Sequence, residues 1–221
     1  MDQSVEPLAR ADRSTITKVL EADIVFGRRL PDERLVEDDL IARFGATRHT
    51  VRRVIDDLSA LGLVTREPNR GARVVSFAPS EIDHLYEIRG LLQAQAIRRM
   101  ELPVPSDTIA EMRRCHEGHL LAAADGDNVR VFEWNNAFHA ALFDACGNPL
   151  LSAEIAAFAW RTHPIRSLGF TDPDYIATAQ DEHAAIIEAA IAGDRDTLVS
   201  IDQLHMMRPK DAYIASMIAR S

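Results

Sequence analysis

The chain has 221 residues, 47% of them apolar and 27% charged, with a formal net charge of -9. That length allows one large core or two modest ones, and a low aromatic share beside abundant Ala, Leu and Ile favours helix. No apolar run approaches the roughly 20 residues of a membrane span, the acidic start MDQSVEPLARADRST is no signal peptide, and Cys115 and Cys146 are too few and too far apart for a disulfide framework. A cytoplasmic protein with reduced thiols is expected.

Residues 1–13 read as a flexible tail. From 14 to 26, STITKVLEADIVF places Ile16, Val19, Leu20 and Ile24 at helical spacing before Gly27. After the turn GRRLPDERL, EDDLIARFG predicts a short helix closed by Gly45. ATRHTVRRVIDDLSALG predicts a longer one, capped by Thr47 and ended by Gly62. LVTREP and GARVVSF then alternate around PNRG as a β-hairpin. Three helices and a hairpin over 14–78 make a winged helix-turn-helix.

In that fold the start of the second helix of the pair enters the major groove. Here it offers Thr47, Arg48, His49, Thr50 and Arg52, with Arg48 and Arg52 one turn apart, while Val51, Val54, Ile55 and Leu58 form the opposite, buried face. A solvated basic helix end is the bland alternative. Arg70 and Gly71 at the hairpin tip, and Arg34 in the turn before the second helix, argue for phosphate or groove contacts instead. The net acidity does not oppose this, because bases and acids nearly balance over 14–78 and the acidic excess lies in 79–221. The segment IVFGRRLPDERLVEDDLIARFGATRHTVRRVIDDLSALGLVTREPNRGARV resembles the DNA-binding domain of GntR-type bacterial transcription regulators. It departs from the pattern at Asp32, where Gly is usual, and at Ala46-Thr47 and His49-Thr50. By this resemblance Arg34, Arg48, Arg52 and the wing around Arg70 and Gly71 contact operator DNA.

From residue 79 onward strand signals vanish, and helices are expected at about 81–101, 107–124, 128–146, 150–168, 174–192 and 195–219. Pro209 should kink or interrupt the last. The fold class is therefore mostly α, an N-terminal winged helix-turn-helix followed by an all-α helical-bundle effector domain over 79–221. One helix, VFEWNNAFHAALFDACGNPLL, carries Asn135 and His139 one turn apart on the side of Phe132, Leu142, Phe143 and Cys146.

With LYEIRGLLQAQAIRRM, NNAFHAALFDACGNPLL, DEHAAIIEAAIAGD and QLH, the helical half resembles the FCD effector domain of the FadR branch, in its shorter, six-helix VanR-like form. In many members three histidines and an Asp bind a divalent metal. The resemblance carries these roles onto His139, His183 and His205, with Asn135 at the Asp position as a weak or indirect ligand. The periodicity supports it: His183 shares a face with Ala179, Ile187 and Ala190, and His205 with Leu198 and Ile201. Imidazoles suit Zn, Ni, Co or Mn. Asp181, Glu182 and Asp202 are candidate supports. His49, His84, His116, His119 and His163 lack the inward pattern. Such a site suits a small organic acid, with Arg89 and Arg161 as carboxylate partners.

These features imply a homodimeric, DNA-binding repressor that is not an enzyme. Two further readings fit some of the residues: an architectural DNA binder with a structural metal and no effector, and a metal-dependent hydrolase.

Overall fold

The computed structural model describes residues 11–67, 71–166 and 169–218. They divide into two compact units, one ending at Ser76 and the other beginning at Phe77.

The first unit opens with α1 (Arg13–Val25), capped by Asp12, whose side chain accepts from the Thr15 amide at 2.8 Å. Helix α2 (Glu37–Phe44) ends at Gly45, left-handed at φ 59°. Helix α3 (Arg48–Ala60) begins at Thr47, whose hydroxyl accepts from the Thr50 amide at 3.1 Å, the cap expected of that residue. Strands β2 (Val64–Glu67) and β3 (Gly71–Val74) form the wing. A third strand, β1 (Arg34–Leu35), pairs antiparallel with β3, opposing Arg34 to Arg73 and Leu35 to Ala72. Arg34 thus stands in a strand, where a turn was expected. Two residues are too few to show an alternation. Ile16 and Leu20 of α1, Phe44 of α2, and Val51, Val54 and Leu58 of α3 close one core, and each stabilises the fold by roughly 1.5–3 kcal/mol. Asp32 is the one non-glycine at positive φ, 65°, among the described residues, which gives a physical reason for glycine at that position of the pattern.

The second unit contains α4 (Pro79–Arg99), α5 (Ser106–Ala124), α6 (Asn128–Asp144), α7 (Pro149–Arg161), α8 (His163–Arg166), α9 (Pro173–Ala192) and α10 (Arg195–Ile218), with a 3-10 turn at Gly169–Thr171. Prolines open α4, α7 and α9, and Asp127, Asn148 and Asp172 cap α6, α7 and α9 through their side chains. Ile97, Met112, Phe138, Leu142, Ile186 and Leu198 lie at the centre of the bundle core.

The structure departs from one expectation here and narrows another. The helix foreseen over 150–168 stops at Arg161, where Thr162 turns its hydroxyl back to the Phe158 and Ala159 carbonyls and Pro164 lacks the donor a continuing helix needs. Beyond it His163–Arg166 form the four-residue α8, so among the described residues the bundle has six long helices and one short one. Of the kink or interruption expected at Pro209, the interruption is absent, since α10 continues through it. A proline removes a single donor, and Met206 and Tyr213, on either side of it, are packed with Ile82, Tyr86 and Ile165.

Candidate functional site

Three helices bring His139 (α6), His183 (α9) and His205 (α10) together, with one ring nitrogen of each inside a span of 4.8 Å. The Nε2 atoms of His139 and His205 are 3.0 Å apart. His183 is fully buried and stacked on Phe138, centroids 4.1 Å apart, and neither of its ring nitrogens has a hydrogen-bond partner. Burial pushes the pKa of all three histidines down; for His205 the neighbouring Glu182 opposes this. Neutral rings at neutral pH keep lone pairs available. His205 Nδ1 lies 2.9 Å from Glu182 Oε2, and the other oxygen of that carboxylate accepts from Arg208 Nε. With the carboxylate accepting from Nδ1–H, the Nε2 lone pair of His205 points into the cluster. A divalent cation would give an orphaned nitrogen of His183 a partner and would take the place of the proton that the facing Nε2 atoms of His139 and His205 must otherwise share, so the residues fit a three-imidazole site.

Asn135 is buried, and its amide nitrogen has no partner. Of the residues set aside in the sequence, His119 and His163 prove buried as well. His119 lies 5.3 Å from the His183 ring, centroid to centroid, and His163 packs edge-on to Trp160 at 4.4 Å. The inward pattern was present for His119, which falls in step with Met112, Cys115 and Ala122 on α5. His163 had none, because the break at Thr162 decides its direction.

Beside the cluster lies a cavity of about 600 Å³, to which His139 and His205 contribute wall. Arg89 is buried on this wall, and its Nε and Nη1 have no partner. Arg161 is not part of it. That side chain is exposed and lies over the Phe158 ring, 4.9 Å from its centroid. The second cation on the wall is Arg166, buried after the chain turns at Thr162. Burial, followed by the charge of Arg89, lowers the Arg166 pKa to about 10, which leaves it protonated at neutral pH. Asp202 is also buried on the wall with one oxygen unpartnered, and burial pushes its pKa up to about 7 against the pull of Arg89. Two buried guanidinium groups and a weakened acid leave this end of the cavity electropositive.

In the first unit, Arg48, His49 and Arg52 are exposed on α3 and Thr50 is half-buried. Arg48 is paired with Asp38 at 2.6 Å and lies 3.6 Å from Glu37; Arg52 reaches Glu37 at 3.1 Å. Arg34 is exposed on β1. Gly71 begins β3 at φ 86°, and a Cβ there would lie 3.0 Å from the Leu35 carbonyl oxygen, so both its backbone angle and its surroundings call for glycine. Arg70 lies outside the described residues.

A winged helix-turn-helix with an exposed basic second helix, followed by a helical bundle enclosing a histidine cluster and a cationic cavity, defines a DNA-binding transcription regulator. The FCD domain matches residues 84–208, and "Bacterial regulatory proteins, gntR family" matches residues 13–74. The chain belongs to the GntR family of transcription regulators and carries an FCD domain. Among curated relatives, the HTH-type transcriptional regulator BphR of Paraburkholderia xenovorans is 28% identical over 216 residues, covering 93% of this chain and 87% of that one. The HTH-type transcriptional repressor GlaR of Escherichia coli is 26% identical over 206 residues, covering 86% and 90%. A GntR regulator from Rhodococcus sp. RHA1 has the same fold, with a TM-score of 0.74 at 19% identity over 92% of this chain and 97% of that one. No helix among the described residues is long and apolar enough to cross a membrane.

Proposed function

We propose that the protein is a homodimeric repressor whose helical domain holds a divalent metal and a small organic acid, and that the acid lowers its affinity for operator DNA. The observation that carries this reading is the meeting of three neutral, inward histidines with a cavity bearing two buried guanidinium groups. His139, His183 and His205 hold the metal, which supplies a Lewis-acidic anchor for a carboxylate oxygen. Asn135 contributes weakly or through water. Phe138 fixes the His183 ring, Glu182 fixes that of His205, and Arg89 and Arg166 bind the acid's carboxylate.

Thr47, Arg48, His49, Thr50 and Arg52 meet the major groove, Arg34 meets the backbone, and the wing at Arg70 and Gly71 reaches beyond. One such module makes few base contacts, so two copies on paired half-sites supply the selectivity. The direction of control follows the relative named as a repressor.

The test is a fluorescence-anisotropy titration of metal-loaded protein on operator DNA with a panel of organic acids. An effector should weaken binding about 5–150-fold, the usual range of allosteric coupling. If no acid alters operator affinity or raises thermal stability, the protein is a DNA binder with a structural metal, and the effector reading falls.

A further inference from the structure

The cavity is larger, and over most of its length less polar, than a short hydrophilic acid requires. Its volume of about 600 Å³ falls within the roughly 300–1,000 Å³ typical of pockets that enclose drug-sized molecules. The cationic groups, Arg89 and Arg166, are close enough to each other for the charge of one to depress the pKa of the other. His163, beside Arg166, also lines the wall.

Away from that end the cavity runs between α6 and α7. Wall residues recur on α6 at 136–137, 139–140 and 143–144, and on α7 at 149, 152–153, 155–156 and 159–160. At 1.5 Å per residue this is contact along about 12 Å of one helix and about 16 Å of the other. Five of these positions are alanine: Ala137, Ala140, Ala153, Ala156 and Ala159. Ala140, Ala153 and Ala156 are exposed, so no side chain of the unit fills the slot in front of them. Phe143 and Ile155 add apolar wall. At the far end, where α6 gives way to α7, the charged wall residue is Asp144, and no cation lines the cavity there among the described residues. A second carboxylate would meet repulsion at that end, whereas an alkyl or aryl group would lie against methyl groups.

We infer that the effector is a monocarboxylate on an extended apolar body, its carboxylate between Arg89 and Arg166 and its body in the alanine-lined slot between α6 and α7. This rests on the effector reading above and specifies the class of acid.

The test is calorimetric titration of the full-length, metal-loaded protein with octanoate, phenylpropanoate, acetate and glutarate. At least one of the first two should bind about tenfold or more tightly than both of the others, because burying even a few methylenes supplies that factor. Their relative order distinguishes an alkyl from an aryl body. Ala140→Leu and Ala156→Leu, which fill the slot, should each reduce that preference about tenfold and leave acetate binding unchanged. Acetate or glutarate binding as tightly as the longer acids overturns the inference while the effector reading stands. Binding of no acid, with metal content intact, overturns the effector reading and this inference with it. The four-acid series on the native chain decides the matter even if a leucine variant fails to fold.

Discussion

Glu182 and His205, on neighbouring helices, are joined by a 2.9 Å contact from the carboxylate to Nδ1, and this contact determines which nitrogen of His205 faces His139 and His183. In the proposed metal site Glu182 therefore acts through His205. Glu182→Gln retains an acceptor but loses the charge that makes the imidazole a better donor of its lone pair. Metal affinity should fall about 10–100-fold with helical content unchanged, as measured by chelator competition and circular dichroism. Unaltered affinity would remove Glu182 from the site.

Asn135 sits one turn before His139, buried and with its amide nitrogen unpartnered. A carboxylate at that position would add a negative charge beside three neutral imidazoles and the proposed cation. Asn135→Asp should tighten metal binding and His139→Ala should abolish it, read as metal content after dialysis by elemental analysis. Equal metal content in the two variants would refute the assignment of both residues.

Arg166 lies on the cavity wall, whereas Arg161 is exposed at the surface. Losing a charge-assisted contact of about 1.5–3 kcal/mol, Arg166→Met should weaken acid binding roughly 10–150-fold. Arg161→Met removes an exposed side chain stacked on Phe158, and acid affinity should stay within about twofold. Calorimetry on both variants checks this, and similar losses in the two would mean that the effector lies elsewhere.

Arg48 is held by Asp38 on the preceding helix, and the pair is exposed on both sides. Such a pair contributes little stability, so little would oppose the release of Arg48 to DNA in the proposed interface. Arg48→Ala should weaken operator binding by about 1–3 kcal/mol, and Asp38→Asn, which frees the guanidinium, should strengthen it, most at low salt. Anisotropy at two salt concentrations reads both effects; a variant pair that shifts affinity in the same direction would contradict this role for Arg48.

The parts of this protein legible in the sequence are those written as periodicity or caps. Val51, Val54, Ile55 and Leu58 repeat at helical spacing and are buried, and the faces of His183 and His205 followed from their apolar neighbours in the same way. Strand β1 was hidden because a two-residue strand has no period. Arg166 and His163 were hidden because their direction depends on where α7 ends, and the helical pattern was carried past Pro164. His119 was legible from its spacing with Met112, Cys115 and Ala122 on one face of α5, although the neighbouring His116 and the charged residues around both obscure that face.

The two tryptophans of the chain occupy opposite circumstances. Trp134 is pressed against Gly118, where a Cβ would clash with the indole, whereas Trp160 forms part of the cavity wall. The protein thus carries an optical probe of the proposed ligand chamber. In a Trp134→Phe background the remaining tryptophan emission arises from the chamber wall alone, and its change in intensity or wavelength on adding an acid would follow occupancy in real time, without label or DNA.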